Sequence, residues 1–569
     1  MHHRCWNVPE ILGLIFENFS AETPSGSRAL SRLAVTCLDF SEPALDALWR
    51  KQTSFVPLLR CLGETWHEVE EDAPLTRFVV AGIVLPEDWD RVLFYTNRIK
   101  FLDIAPVDDN GLSLEVLELL STSVPVKYLM PNLQHVSWDP IERSWVPYLR
   151  LFLGPKLTSI EISLNGKPSR MALLPFIAHR YRNTLLNLKI EQRNDEGEYV
   201  IGDPVLATMN AIVRSLRAIQ TLHLDCCDDE CIPPLARLPD LRSLTVDYVS
   251  FDNRWRKSRG GFQALKVLRL YEMSSLSEAE IFLELLVNAP LVMLALTAAS
   301  YNAEILLATL SSIESHCAHA SLSSCSLYLR NYQNGPVLAT QDPFPSETLN
   351  PLLSFPNLTF VRIESRSGFN LDDAFMHRMA ESWPKIVHLA LTRSLSQTQI
   401  TVSSASLTTP TILSLQSFAQ NCPHLIHLSL SALDASIDLP PAPTRASSTS
   451  YPRPVRPMQT ALTVLDVGNA PVGPPLATAR FLCSMFASLG QITTAESVSN
   501  DHRLGWMKVV ELLPTIHAIR AEEEAYWIST VYTLHEILTG SASGVSGLRL
   551  TNYCDDAMRS NEVVVRENA

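Results

Sequence analysis

The chain is short of basic residues: 46 Lys and Arg stand against 60 Asp and Glu, a formal net charge of −14. Neutralising phosphates takes clustered cations, so nucleic acid is not the expected partner. Long hydrophobic runs are missing too. The most apolar stretch, Pro290–Ala299, is far too short to span a bilayer, and Met1 to Glu10 contains no apolar core of a secretory signal. No membrane association is expected, and the compartment that fits is the cytoplasm or nucleus. Eleven cysteines are spread thinly over 569 residues, as reduced and mostly buried thiols are. In such a compartment the sequons at Asn18 and Asn357 mean little. Charged residues make up 19% of the chain, too few for wholesale disorder.

Catalytic constellations are equally scarce. Gly166-Lys167-Pro168-Ser169 lacks the upstream glycine of a phosphate loop and has proline where a backbone donor is needed. His67-Glu68 has no second histidine one helical turn on. Gly540-Ser541-Ala542-Ser543-Gly544 centres on alanine and is no nucleophile elbow. Cys226, Cys227 and Cys231 with His223 do not follow a known zinc spacing, and buried thiols are the better reading. No catalytic residue, metal or cofactor is expected.

Apolar residues are what the chain does have, at 46%, enough at this length for several domains or one elongated array. In the first fifty residues Val8, Ile11, Leu12, Ile15, Phe16 and Phe19 fall at helical spacing and form one stripe. Asn7 with Glu10 resembles a capping box, and Pro9 sits in the first turn. A second helix is predicted around Ala29, Leu30, Leu33, Ala34 and Cys37. A third is predicted from a Ser41 cap, with Pro43 in its first turn and Ala44, Leu45, Leu48 and Trp49 on its apolar side. Burying the whole first stripe is worth on the order of 10–18 kcal/mol before entropy, more than so small a module absorbs alone. Either a partner or the rest of the chain covers the remainder, as in helix-in-groove docking. Periodicity alone leaves open a helical cap sealed by the chain's own later residues.

Val8-Pro9-Glu10-Ile11-Leu12, Ile15-Phe16, Leu33-Ala34-Val35-Thr36-Cys37 and Leu48-Trp49-Arg50 together resemble an F-box, over residues 6–50. The wording Glu42-Pro43-Ala44-Leu45-Asp46-Ala47-Leu48-Trp49 is similar to F-boxes of mushroom-forming fungi. Against that pattern, Ala21 to Ser27 lengthens the connection between the first two helices. The resemblance implies contact with the Skp-type adaptor of a Skp–cullin–F-box ubiquitin ligase, and through it a cullin. Carried over, Val8, Pro9, Glu10, Ile11, Leu12, Ile15, Phe16, Leu33, Cys37 and Trp49 form that contact.

A helical and acidic linker is expected at 51–75, with Glu64, Glu68, Glu70, Glu71 and Asp72 in a solvated loop. Beyond it, over 76–553, the phrase L-x-x-L-x-L recurs with Ile or Val substituting. It starts at Ile99, Leu133, Leu157, Leu185, Ile219, Leu241, Leu265, Leu291, Leu358, Ile386, Leu425 and Leu462, with a blurred copy between Leu291 and Leu358. The alternation predicts a strand in each. Helical patterns fill the gaps at Pro204–Leu216, Ser277–Val287, Ala303–His316, Asp372–Trp383, Thr411–Gln420 and Ala477–Leu489, and two more lie between Leu504 and Leu538. Strand plus helix, repeated, predicts an α/β fold: an irregular leucine-rich-repeat horseshoe of parallel strands and outer helices. A compact α/β domain reads similarly. Asn421-Cys422-Pro423-His424-Leu425-Ile426-His427-Leu428 resembles repeats that follow fungal F-boxes. A Pro-rich insertion at 434–460 predicts a mobile loop, Val545 to Leu550 a last strand, and 554–569 a frayed tail.

In such an array the residues between and after the strand leucines line the concave face. In the first half these are Asp103, Ser137, Asp139, Glu161, Ser163, His223, Asp225, Thr245 and Asp247, five acids among nine, which suits a basic target segment. Arg269, Tyr271 and Arg362 follow in later repeats. The expected function is a non-catalytic substrate receptor of a ubiquitin ligase; the alternative is an F-box scaffold without ubiquitylation.

Overall fold

The computed structural model describes residues 8–19, 21–70, 76–80, 84–105, 113–139, 143–164, 171–192, 202–250, 260–286, 288–330, 343–393, 409–439, 459–495 and 499–540. Its spine is a 15-stranded sheet, parallel throughout, in which spatial order follows sequence order. Its strands are β1 (Lys51–Gln52), β2 (Phe101–Ile104), β3 (His135–Trp138), β4 (Ser159–Leu164), β5 (Asn187–Gln192), β6 (Thr221–Asp228) and β7 (Ser243–Ser250). They continue as β8 (Val267–Ser275), β9 (Met293–Ser300), β10 (Ser324–Leu329), β11 (Phe360–Ser365), β12 (His388–Arg393), β13 (His427–Leu430), β14 (Val464–Asp466) and β15 (Gln491–Thr493). Parallel neighbours need a crossover, and helices such as Asp203–Ser215, Ala303–His316 and Asp373–Ser382 supply it. The chain is therefore a solenoid-like succession of strand and crossover.

The recurrent phrase explains the register. Its first apolar residue sits two positions before the strand and its second falls inside it, so Leu241, Leu244, Leu265 and Leu268 are all wholly buried. In-register pairing stacks these positions into one ladder, as in Leu244–Leu268–Leu294–Cys325–Val361–Leu389–Leu428. Three such side chains per repeat contribute roughly 5–9 kcal/mol before the entropy of ordering. The blurred copy is β10: Leu322 leads it, and Cys325 stands where neighbouring repeats place leucine, isoleucine or valine. Backbone bonds repeat as well. One carbonyl before each strand accepts two N–H groups from the next: Gln134 and His135 donate to Lys100, and Ile426 and His427 to Val387.

That pattern begins at Arg50, whose carbonyl accepts from Lys100 and Phe101, both at 2.9 Å. The sheet thus starts directly after an N-terminal unit of α1 (Pro9–Phe16), α2 (Pro24–Ala34) and α3 (Leu38–Trp49). Local chemistry shifts the expected boundaries. Val8, not Asn7, is the N-cap of α1 and makes no side-chain cap bond; Asn7 lies outside the described residues. Thr23 caps α2 by accepting from the Gly26 N–H, so Pro24 to Ser27 is helix rather than loop. Helix α3 starts at Leu38 after an extended Cys37, which leaves Pro43 inside the helix instead of in its first turn.

The expected solvated linker at 51–75 is partly structured: β1 joins the sheet, Val56–Leu59 is helical, and Trp66–Glu70 pairs antiparallel with Thr76–Val80. At the far end the expected pair of helices is one continuous helix, Asn500–Gly540, anchored by buried Trp506, Val509 and Leu513. Within the Pro-rich insertion, 440–458 lies outside the described residues, as do Val545 to Leu550 and the tail. Gln459, immediately after that segment, is buried and fully bonded. Its Nε2 donates to Leu425 O at 2.7 Å and Cys422 O at 3.3 Å, and its Oε1 accepts from Leu462 N at 2.8 Å and Ala461 N at 3.2 Å. Among the described residues no helix is long and apolar enough to cross a membrane.

Candidate functional site

Two surfaces qualify. The first is the helical unit. Leu12, Phe16, Leu30, Ala44 and Ala47 form a small core separate from that of the sheet, with Phe16 edge-on to Phe40 at 5.6 Å. That core uses only one edge of the α1 stripe: Leu12 is 1% and Phe16 2% exposed. The other edge, Val8, Ile11, Ile15 and Phe19, remains in solvent, and Leu14 extends it. Around the α2–α3 turn Val35 is 84% and Leu38 91% exposed. Pro9, Glu10 and Cys37 are exposed beside them, and Leu33 is half-buried. These exposed apolar residues make the unit a candidate binding face.

Trp49 does not belong to that face. It is buried in the sheet's core and stacks on Tyr95, with centroids 4.4 Å apart. Its neighbours tie the unit down further. Arg98, largely buried, bonds Glu42 at 2.6 Å and also Asp46, Lys51 bonds Glu22 at 2.6 Å, and Arg50 pairs with Glu17. The signal in the sequence was ambiguous, because a tryptophan at the end of an apolar helix suits a partner or a neighbour equally well.

The second surface is the open face of the sheet. Strand alternation places Asp103, Ser137, Glu161, His223, Thr245, Arg269 and Arg362 in one register row on that face. The acidic half is less available than its residue list suggests. Asp225 is 2% exposed and accepts the Gln192 N–H at 2.5 Å. Asp247 is 6% exposed, with Oδ1 2.9 Å from His223 Nε2. Asp103 lies 3.7 Å from Lys51 and Glu161 3.9 Å from Lys189, which also pairs with Glu191 at 2.9 Å. Ser137, Asp139, Glu161, Ser163, Lys189 and Glu191 surround an open hollow of about 80 Å³. Sequence reasoning missed Lys51 and Lys189, since which charges meet across strands depends on register.

The later half of the face differs in chemistry. Phe360, His388 and His427 stack in register, with centroids 4.5 and 4.4 Å apart. Burial, with His427 and Arg362 nearby, lowers His388 to about 4, so its ring is neutral at pH 7. Arg362 lies over the Tyr328 ring at 5.4 Å, and Arg330 at 5.6 Å. Elsewhere, burial pushes the Cys226 thiol up to about 12, and a hydrogen bond with Cys231 together with burial pushes Cys227 up. These thiols stay protonated at neutral pH, a poor state for nucleophilic attack.

No family model matches the chain, and no curated protein does. Among solved structures, the yeast complex of Rad7 and Elc1 contains a chain 14% identical to this one, with 71% of this chain and 92% of that chain covered, at a TM-score of 0.33.

Proposed function

We propose that the chain is the substrate-recognition subunit of a Skp–cullin–F-box ubiquitin ligase. In this reading α1–α3 are an F-box that docks a Skp-type adaptor, and the repeats are leucine-rich repeats whose open face holds a target protein. The observation that carries it is the divided stripe of α1. Leu12 and Phe16 fill the unit's own core, while Val8, Ile11 and Ile15, with Val35 and Leu38, stay in solvent on the segment whose wording resembles an F-box. Contact with the adaptor falls to those exposed residues together with Pro9, Glu10, Leu33 and Cys37. Leu12 and Phe16 shape the face from beneath, and Trp49 fixes it to the array. The chain supplies no side-chain chemistry. It works by proximity, raising the effective concentration of a target lysine near a ubiquitin-conjugating enzyme.

Co-purification of the full chain tests this directly. Recovery of a Skp-type adaptor with a cullin supports the ligase reading. Adaptor without cullin redirects it to a scaffold, and recovery of neither overturns it.

A further inference from the structure

Two arginines on the open face are poorly satisfied by their own chain. Among the described residues, the one hydrogen bond of the Arg269 guanidinium goes to the Met293 thioether sulfur at 3.1 Å, a weak acceptor. Arg362 makes one long bond, 3.4 Å to Glu364, and its Nε is buried without a partner. Both stand in the same register row, Arg269–Ala295–Ser326–Arg362–Ala390–Ser429. Between the two arginines the row carries only Ala295 and Ser326, and Ala390 and Ser429 follow Arg362 before Asp466, so this stretch forms a shallow floor. One wall is Met293 and the stacked Phe360, His388 and His427; the other includes Tyr271 and Tyr328.

The spacing has a chemical counterpart. Arg269 and Arg362 are three strand steps apart, about 14 Å at the usual inter-strand distance. An extended peptide advances about 3.4 Å per residue, so carboxylates four residues apart are also separated by about 14 Å. Arginine is the side chain suited to paired, planar recognition of carboxylates. The acids nearby do not quench the site. Glu364 is the long-bonded partner already named, Asp247 is only 6% exposed, and Asp466 accepts from Ser429 Oγ at 2.9 Å and Gly468 N at 3.0 Å. Arg330, exposed above Tyr328, adds positive charge.

We infer that Arg269 and Arg362 are a two-point anchor for an extended, acidic target segment that crosses the strands with two carboxylates four residues apart, its intervening side chains lying against the aromatic walls. This rests on the reading that the open face holds a target, and it names that target's chemistry as acidic where the residue list of the first half suggested a basic one.

The probe is a fluorescein-labelled peptide, Ser-Glu-Thr-Tyr-Thr-Glu-Ser, titrated with the full chain by fluorescence anisotropy. Three other peptides accompany it, one with Gln at both Glu positions, one with the two Glu adjacent, and one with Lys in their place. Binding of the first peptide about tenfold tighter than the Gln peptide is expected, with a loss of about tenfold in Arg269→Gln or Arg362→Gln. Glu304→Gln, exposed on the crossover helix Ala303–His316, leaves binding unchanged. Thermal melting of each variant identifies any that misfolds, and Arg269→Lys keeps the charge while removing the fork, so a partial loss there supports the anchor. Equal binding of the Glu and Gln peptides, equal binding of the spaced and adjacent Glu peptides, preference for Lys, or an acid preference untouched by both Gln variants overturns it. Adaptor capture is measured on the same preparations. Capture without peptide binding rejects the anchor alone, and peptide binding without capture rejects the ligase reading alone.

Discussion

Leu38→Ala separates a binding face from a structural one more cleanly than any other single change. Leu38 is the first residue of α3 and is 91% exposed, so in the free chain its side chain contributes almost nothing to packing. Alanine is also the better helix former, and the free chain's stability should move by no more than about 0.5 kcal/mol. If an adaptor covers that position, truncation removes about three methylene equivalents at roughly 0.8 kcal/mol each, or about 2 kcal/mol with incomplete burial. Adaptor affinity then falls by roughly 30-fold. Leu12→Ala is the opposite case. Leu12 is 1% exposed in the unit's own core, and its truncation costs about 2–5 kcal/mol of stability. Calorimetric titration of the full chain with a purified Skp-type adaptor, alongside urea denaturation of each free variant, reads both quantities. An unchanged adaptor Kd for Leu38→Ala removes the α2–α3 turn from the contact. A stability loss in Leu38→Ala matching that of Leu12→Ala refutes the division of the apolar residues into covered and uncovered sets.

Three further changes probe the scaffold. Gln459→Ala removes its side-chain bonds to the backbone of Cys422, Leu425, Ala461 and Leu462, leaving buried Leu425 O and Leu462 N without them, and should cost about 2–4 kcal/mol in chemical denaturation. Trp49→Ala removes the stack on Tyr95 and should cost about 3–5 kcal/mol, with limited proteolysis showing earlier cleavage between α3 and β2. His388 is held neutral by burial, its value lowered from 6.5 to about 4. The unfolded chain therefore binds more protons in between. Its contribution is intact above pH 6.5 and is lost as pH falls towards 4, and His388→Phe should flatten that part of the stability–pH curve.

The strands were readable because burial is periodic and obligatory: Leu244 and Val246 share one core face only in a strand of that register, and Leu241 is buried in the segment just before it. Where the pattern thinned, the reading did too. Cys325 fills a leucine position in β10, and Lys51–Gln52 is too short and polar to announce β1, although Arg50's carbonyl makes it the first rung. Helix starts moved because several residues compete to cap. Thr23 captured α2 earlier than the apolar pattern suggested, and Cys37 opened α3 before Ser41. The candidate surfaces were legible as residue types but not as availability. Nothing local distinguishes exposed Ile11 from buried Leu12, or reveals that Trp49 meets Tyr95. The acidic row looked free because its counter-charges, Lys51 and Lys189, sit on neighbouring strands, and Asp225 spends itself on the backbone of Gln192.

Between Trp49 and Lys51 there is a single residue, and the Arg50 carbonyl is already bonded to β2. With no slack at that joint, and with Arg98 clasping α3 from the array side, the helices have no room to pivot. In the ligase function proposed above, a target on the sheet would keep a constant bearing from an adaptor on the helices, and where along the strands it is held would decide which of its lysines come within range.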